Sequence, residues 1–228
     1  MTKSELLEIA KPILFNTEMV QAILEGRKTV TRRLVKPKYK KDEGGFQVCT
    51  NKATGERWIE KHDWDEGSFD NPRYVNPPYR KGDILYVRET WMGTGARFYY
   101  KADGKHHKLD NLIGDKPFFK WKPSIHMPKN LARIFLKVTD VRVERLKDIT
   151  EAEAKAEGIR SYFLHKEHGG EWREFKYFFM GADWSAHQTR KKAFANLWNS
   201  TIKKQDLDRY GWESNPWVWV YEFERIEI

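Results

Sequence analysis

Cysteine is nearly absent: Cys49 stands alone in 228 residues. One thiol excludes an internal disulfide and a cysteine-built zinc cage, and such sparse usage fits a reducing compartment. No run approaches the ~18 apolar residues of a membrane-spanning helix, and residues 1–7 carry no apolar signal region. The expectation is a soluble cytoplasmic protein without a membrane partner. His106-His107, His165 and His168 lack the carboxylate or cysteine spacing of a metal site. Gly93-Thr94-Gly95 lacks the Gly-Lys-Ser/Thr ending of a phosphate loop. No metal and no cofactor are therefore expected.

The hydrophobic fraction is low, at 39%, and the charged fraction is high, at 33%. Aromatics compensate: ten tryptophans, ten tyrosines and thirteen phenylalanines supply buried area, and also flat faces on which a base can stack. A net charge of +9 suits an anionic partner such as nucleic acid, a nucleotide or a membrane surface, without choosing among them.

Along the chain, Lys11 to Phe15 reads as a first strand, with Pro12 tolerable at a strand start or a sheet edge. Asn16 or Thr17 then caps a helix with Met19, Val20, Ile23 and Leu24 in one stripe, and Gly26 stops it. From about 36 to 80, glycines and prolines punctuate a stretch without period. It reads as an insertion partly ordered by Phe46, Trp58, Trp64 and Tyr74. Ile84 to Glu89 reads as a central strand ending near Trp91, with Phe98 to Lys101 as its hairpin partner. Between Leu131 and Leu146 the apolar phase shifts from Ile134, Leu136 and Val138 to Val141 and Val143, which predicts a bulge or a bend between two strands. Thr150 and Glu153 form a capping box opening a helix over Glu151 to Glu157, closed by Gly158. Residues 161–184 read as a second irregular insertion. A helix near Ala186 to Asn199 offers Ala193, Phe194, Leu197 and Trp198 to the core, and Trp217, Trp219, Tyr221 and Phe223 share one face of a closing strand. Short strands, few helices and Gly/Pro turns predict an α+β protein: one domain over 1–228, built as a small β-barrel decorated by short helices and carrying long insertions.

The densest chemistry lies at Gly26-Arg27-Lys28-Thr29-Val30-Thr31-Arg32-Arg33. A lysine beside threonines suits the activation of a nucleophile, and the flanking arginines suit a phosphate or carboxylate. A solvated basic loop is the plainer alternative. Eight cations without an acid fall between Arg27 and Lys41, as expected of an RNA-binding rim and equally of a solubilising loop.

That octet, the strand Gly82 to Arg88, and Leu146 to Thr150 running into Ala156-Glu157-Gly158-Ile159 together resemble the ASCH family. The closing strand fits as well. Trp91, Lys120 to Ser124, His126-Met127-Pro128 and Asn215-Pro216-Trp217 resemble its long phage and prophage members. The likeness spans roughly two thirds of the chain and leaves the two insertions outside it. It implies a PUA-like β-barrel and an RNA or modified-nucleoside partner. Some small bacterial members are amidohydrolases that remove the acyl group of N4-acetylcytidine, using the lysine and a threonine of a Gly-x-Lys-Thr-x-Thr motif with a glutamate from a later helix. The resemblance places these roles on Lys28, Thr31 and Glu157. The alternative it leaves is a non-catalytic module that binds RNA or a modified base.

Thr31 can attack an amide once Lys28 removes its proton, which requires a lysine pKa well below ~10.4. Glu157 can protonate the departing amine or orient Lys28. Because Lys28 and Thr31 are oddly spaced, a straight strand would hold them on opposite sides, so a turn is predicted over 27–30. Alanine at Lys28, Thr31 or Glu157 is expected to abolish turnover with the thermal melt near wild type. Arg88 and Glu89 are candidates to brace the pocket with Arg33, or to form a plain salt bridge. Trp91, Trp121 and Tyr86 are candidates to stack on a base, or to pack in the core. Ser124 and His126 are candidates to bond a base edge, or to form a turn.

Overall fold

A computed structural model describes residues 1–35, 46–51, 57–61, 73–94, 97–104, 120–168, 171–179 and 188–228. In chain order the elements begin α1 (Lys3–Ile9), β1 (Lys11–Leu14), α2 (Thr17–Leu24), β2 (Val30–Leu34), β3 (Phe46–Thr50), β4 (Arg57–Lys61) and β5 (Arg73–Tyr74). They continue with β6 (Ile84–Arg88), β7 (Trp91–Gly93), β8 (Phe98–Tyr100), β9 (Phe135–Arg145), α3 (Glu151–Ala156), β10 (Arg160–His168) and β11 (Glu171–Phe179). The last are α4 (Arg190–Thr201), α5 (Leu207–Tyr210) and β12 (Trp217–Ile226).

The frame is a five-stranded sheet in the order β1-β6-β9-β12-β2. β1 runs parallel to β6 and every other pair is antiparallel. Pro12 lies on the edge strand β1, where a missing N–H breaks no ladder. β9 and β12 form the longest pair, and Thr139 is the extra residue between them: Glu222 faces Asp140 while Phe223 faces Val138. The bulge thus lies where the apolar phase of the sequence shifts, within one continuous strand.

β12 is buried on both faces, which explains its unbroken apolar run. Trp219, Tyr221 and Phe223 pack with Phe15, Val20 and Ile23 on one side. Val218 and Val220 pack with Ile149, Ala154, Phe194 and Trp198 of the α3–α4 layer on the other. A third cluster, under α1, joins Leu6, Tyr86, Trp91, Met127 and Phe135.

The class is α+β. Among the described residues the ladder does not close into a barrel: β1 and β2 remain as its two edges. A side chain brings those edges together instead. Arg33 of β2 donates to the Leu14 carbonyl of β1 at 2.7 Å and stands 5.0 Å from the centre of the Phe15 ring.

The insertions are more regular than expected. The described part of 161–184 is not irregular: β10 and β11 make a nine-pair antiparallel hairpin from Arg160↔Phe179 to His168↔Glu171, and residues 180–184 lie outside the described residues. Gly169-Gly170 between two aromatic-rich runs is the hairpin signal that the irregular reading passed over. Within 36–80, β3, β4 and β5 pair in a small sheet whose Ile59 is fully buried. Trp64 lies outside the described residues, as do His106 and His107. Phe98–Tyr100 pairs with β7, the continuation of the β6 segment.

α3 is short and depends on its ends. Thr150 and Glu153 form the capping box, and Gly158 follows the last turn with φ +100. A non-glycine residue in that left-handed conformation costs about 1–2 kcal/mol. Gly158→Ala is therefore expected to destabilise the fold by about that amount, read as a lower urea midpoint with an unchanged slope.

Candidate functional site

α2 ends in a Schellman motif. Gly26, at φ +71, donates to Ile23 at 3.0 Å and Arg27 donates to Ala22 at 2.8 Å. The Lys28 N–H reaches the same Ala22 carbonyl at 3.0 Å. The chain thus turns earlier than the expected 27–30, and β2 starts only at Val30. The Lys28 ammonium and the Arg33 guanidinium lie 5.7 and 5.0 Å from the centre of one Phe15 ring. Arg33 and Thr31, two apart on a strand, share a face.

Glu157 is the C-cap of α3. It docks on Lys28 through an isolated antiparallel bridge, beside the Thr29 N–H bond to Ala156 at 2.9 Å. Two helix ends, each followed by a left-handed glycine, therefore set the pair. The Lys28 side chain is 0% exposed and that of Glu157 3%. The ammonium donates to the Glu157 carboxylate at 2.5 Å, the Val30 carbonyl at 2.8 Å and the Glu157 carbonyl at 3.1 Å. All three N–H groups are engaged. The second carboxylate oxygen of Glu157 accepts from Arg32 at 3.3 Å. Arg32 also reaches Glu144 and Glu153, both at 3.2 Å. Arg142 ties these two together at 2.5 and 2.7 Å and extends the network to Glu222.

Burial lowers the Lys28 pKa. The adjacent Glu157 opposes that shift, Arg33 and Arg32 add to it, and the net direction is below the ordinary lysine value. Inside Glu153, burial raises the carboxyl, but the Thr150 N–H, Arg32 and Arg142 outweigh it and hold it below the ordinary range.

Glu157 and Thr31 line one cleft of about 160 Å³, together with Arg32 and Arg33. Its apolar wall is Met19 from α2 and Phe194, Leu197 and Trp198 from α4. The Thr31 hydroxyl has no hydrogen-bond partner among the described residues. The Nε atoms of Arg32 and Arg33 are buried without an acceptor. A second, larger cavity of about 670 Å³ is bordered by Arg27, Thr29, Lys155, Ala156 and Arg160.

The other expected site residues stand elsewhere, and none of them lines the Thr31 cleft. Glu89 does not brace Arg33. It makes a two-pronged pair with Arg133, at 2.8 and 3.0 Å, and Arg133 also holds Asp103 at 2.6 Å. Arg88 donates to the carbonyls of Met127 and Ile125. Trp91 is 6% exposed in the α1 cluster, with the Lys122 ammonium 4.7 Å from its ring centre. Ser124 and His126 belong to a 3-10 turn, where the Ser124 carbonyl accepts from Met127. Trp121 is half-buried beside that segment. Glu89 thus forms a salt bridge, whereas Arg88 bonds backbone carbonyls rather than an acid, Trp91 packs in a core cluster, and Ser124 and His126 sit in a turn. Glu89→Ala is accordingly expected to cost about 1.5–3 kcal/mol of stability through its lost charged hydrogen bonds. Turnover per folded molecule should be unaltered, checked by activity normalised to the folded fraction.

Glu144, Glu153 and Arg142 were not placed at the site from sequence, and Arg32 was read only as one of the cations beside Lys28. A buried, multiply paired arginine and a solvated one look alike there, and the acids come from distant strands and helices. Glu153 alone carried a signal, as the second half of the capping box.

Comparison with protein families, with characterised proteins and with solved structures finds no match for this chain. Among the described residues, no group of three His, Cys, Asp or Glu side chains is placed to hold a metal, and no helix is long and apolar enough to cross a membrane.

Proposed function

We propose that the Thr31 cleft hydrolyses the N4-acyl amide of cytidine or deoxycytidine nucleosides, on an ASCH-type frame whose sheet is an opened relative of the PUA-like barrel. The observation that carries this reading is Glu157. Its carboxylate is held between Lys28 and Arg32 and borders the same cleft as the unpartnered Thr31 hydroxyl.

In the resting state Lys28 has no lone pair to offer, since its three protons are committed. Passing one of them over 2.5 Å to Glu157 leaves a neutral amine, the form of Lys28 that burial favours. The amine then takes the Thr31 proton as Oγ1 attacks the acyl carbon. Glu157 gives its proton to the departing N4, and cytidine leaves an acyl ester on Thr31. Water attacks that ester, giving a proton to Glu157, the Thr31 oxygen takes its own back from Lys28, and Glu157 then returns a proton to Lys28. The result is a free carboxylic acid and the starting site.

The described part of the basic run argues against an open RNA groove. Arg27 is bonded to Glu25 and to the Gly158 carbonyl, Lys28 and Arg32 are buried, and Arg33 holds the Leu14 carbonyl. Lys36, Lys38, Lys40 and Lys41 lie outside the described residues.

Intact-mass analysis of protein quenched during turnover of N4-acetylcytidine tests the chemistry. One added acetyl group, mapped to Thr31 and absent from Thr31→Val, is the expected result. Turnover with no adduct would replace the ester by direct attack of water. Neither turnover nor adduct would return the site to modified-base binding.

A further inference from the structure

We infer that the main-chain N–H of Arg32 is the oxyanion donor of the Thr31 cleft, taking the acyl oxygen while Thr31 attacks. The inference rests on the hydrolytic reading above and adds the one group that the reaction needs beyond Lys28, Thr31 and Glu157.

The hydrogen-bond phase of β2 fixes which way its peptide groups point. At one end of the strand Phe223 donates to the Thr29 carbonyl at 2.9 Å, and at the other Val35 donates to the Trp217 carbonyl at 3.0 Å. Both bonds continue the register that pairs Thr31 with Tyr221 and Arg33 with Trp219. Along an antiparallel ladder, pairs that exchange both bonds alternate with pairs that exchange none. Thr31 and Arg33 therefore turn their peptide groups to β12, while Val30, Arg32 and Leu34 turn theirs outward along the edge of the sheet. The outward Val30 carbonyl accepts from the Lys28 ammonium at 2.8 Å, so the Lys28–Glu157 pair stands on this same edge. The next outward donor along it is the Arg32 N–H. Among the described residues no acceptor meets that donor.

Of the three outward residues, Arg32 alone lines the cleft. It is 5% exposed as a residue and 0% exposed at its side chain, so the surface it presents belongs to its main chain. The guanidinium, shared among Glu157, Glu144 and Glu153, anchors that main chain from behind. The Arg32 N–H also directly follows Thr31. A backbone N–H one residue after the nucleophile is the donor that completes an oxyanion hole at a nucleophile elbow.

The step balances with this donor in place. The Thr31 oxygen bonds the acyl carbon, its proton passes to Lys28, and the carbonyl electron pair moves onto the acyl oxygen. The Arg32 N–H donates to that oxygen until the bond to N4 breaks and the pair returns to the carbonyl. A fixed donor aimed at a developing oxyanion is worth ~10²–10³ in rate. Only a short acyl group lets its oxygen reach this edge: the cleft, at about 160 Å³, is well below the ~300–1,000 Å³ of pockets that enclose drug-sized molecules.

The test adds methylboronic acid, which forms a tetrahedral adduct on an attacking hydroxyl, to the isotope-labelled full chain and reads boron and amide NMR. A tetrahedral boron signal is expected, with the Arg32 amide proton shifted downfield and its exchange with solvent slowed ~10-fold or more. The Leu34 amide, outward on the same edge but off the cleft, should stay in place, and Thr31→Val should show neither change. A tetrahedral adduct with an unmoved Arg32 amide would overturn the donor and leave Thr31 as nucleophile. Turnover of N4-acetylcytidine with no adduct would overturn it as well, leaving hydrolysis by direct attack of water. Neither adduct nor turnover would remove the hydrolytic reading and the donor together.

Discussion

Lys28→Met lowers the stability of the fold by ~3–5 kcal/mol, because it strands the Glu157 carboxylate in a site where the side chain is 3% exposed. For a chain of this size that corresponds to a melting temperature lower by roughly 6–20 °C. Arg32 remains beside Glu157, but it is already shared with Glu144 and Glu153 and compensates only in part. From sequence, the melt of Lys28→Ala was expected to stay near wild type; full burial of the pair revises that expectation. The double variant Lys28→Met/Glu157→Leu removes both charges, and its stability is expected to return most of the way to wild type while turnover stays absent. Equilibrium urea unfolding of the three proteins checks this. A single variant as stable as wild type would mean that the pair is not held as buried charges.

Thr31→Val separates chemistry from folding. The residue is 3% exposed and its hydroxyl has no partner among the described residues. Replacing that hydroxyl by a methyl of similar shape therefore leaves no other polar group unsatisfied. The melt should move little, while turnover of N4-acetylcytidine falls ~10³-fold or more, as expected when a nucleophile is removed. Thr31→Ser restores the hydroxyl and should recover activity to within ~10-fold of wild type. Steady-state rates of the two variants, measured beside their melts, give the comparison. A Thr31→Val protein with wild-type rates would remove the threonine from the reaction and leave Glu157 to activate water.

Much of the frame was legible where local physics decides it. Asn16, Gly26, Thr150 with Glu153, and Gly158 mark helix ends whose hydrogen bonds run within a few residues, and all act as read. The common face of Trp217, Trp219, Tyr221 and Phe223 in β12 and the phase shift at Thr139 are likewise local. Closure of the sheet was not legible, because it depends on where β1 and β2 meet; one arginine on one carbonyl joins them. The meeting of Lys28 with Glu157 came through family likeness, since no local rule couples residues 129 positions apart. The remaining expected ligands do not line the Thr31 cleft, and sequence could not show this for a common reason. Strand-end residues such as Arg88, Glu89 and Trp91 have the same composition whether they face a ligand or a neighbouring turn, and here Arg133 and the 124–127 segment lie against them. The pairing of Arg32 was not legible because its three acidic partners come from β9, α3 and the α3 cap.

The most direct measurement is an ultraviolet assay of the purified wild-type protein with N4-acetylcytidine, with N4-benzoyl-deoxycytidine and Thr31→Val alongside. Conversion of the acetyl compound to cytidine by the wild type, slow or absent for the benzoyl compound and lost in the variant, is the predicted result. No conversion of either compound by well-folded protein would contradict a hydrolytic role for the Lys28, Thr31 and Glu157 site.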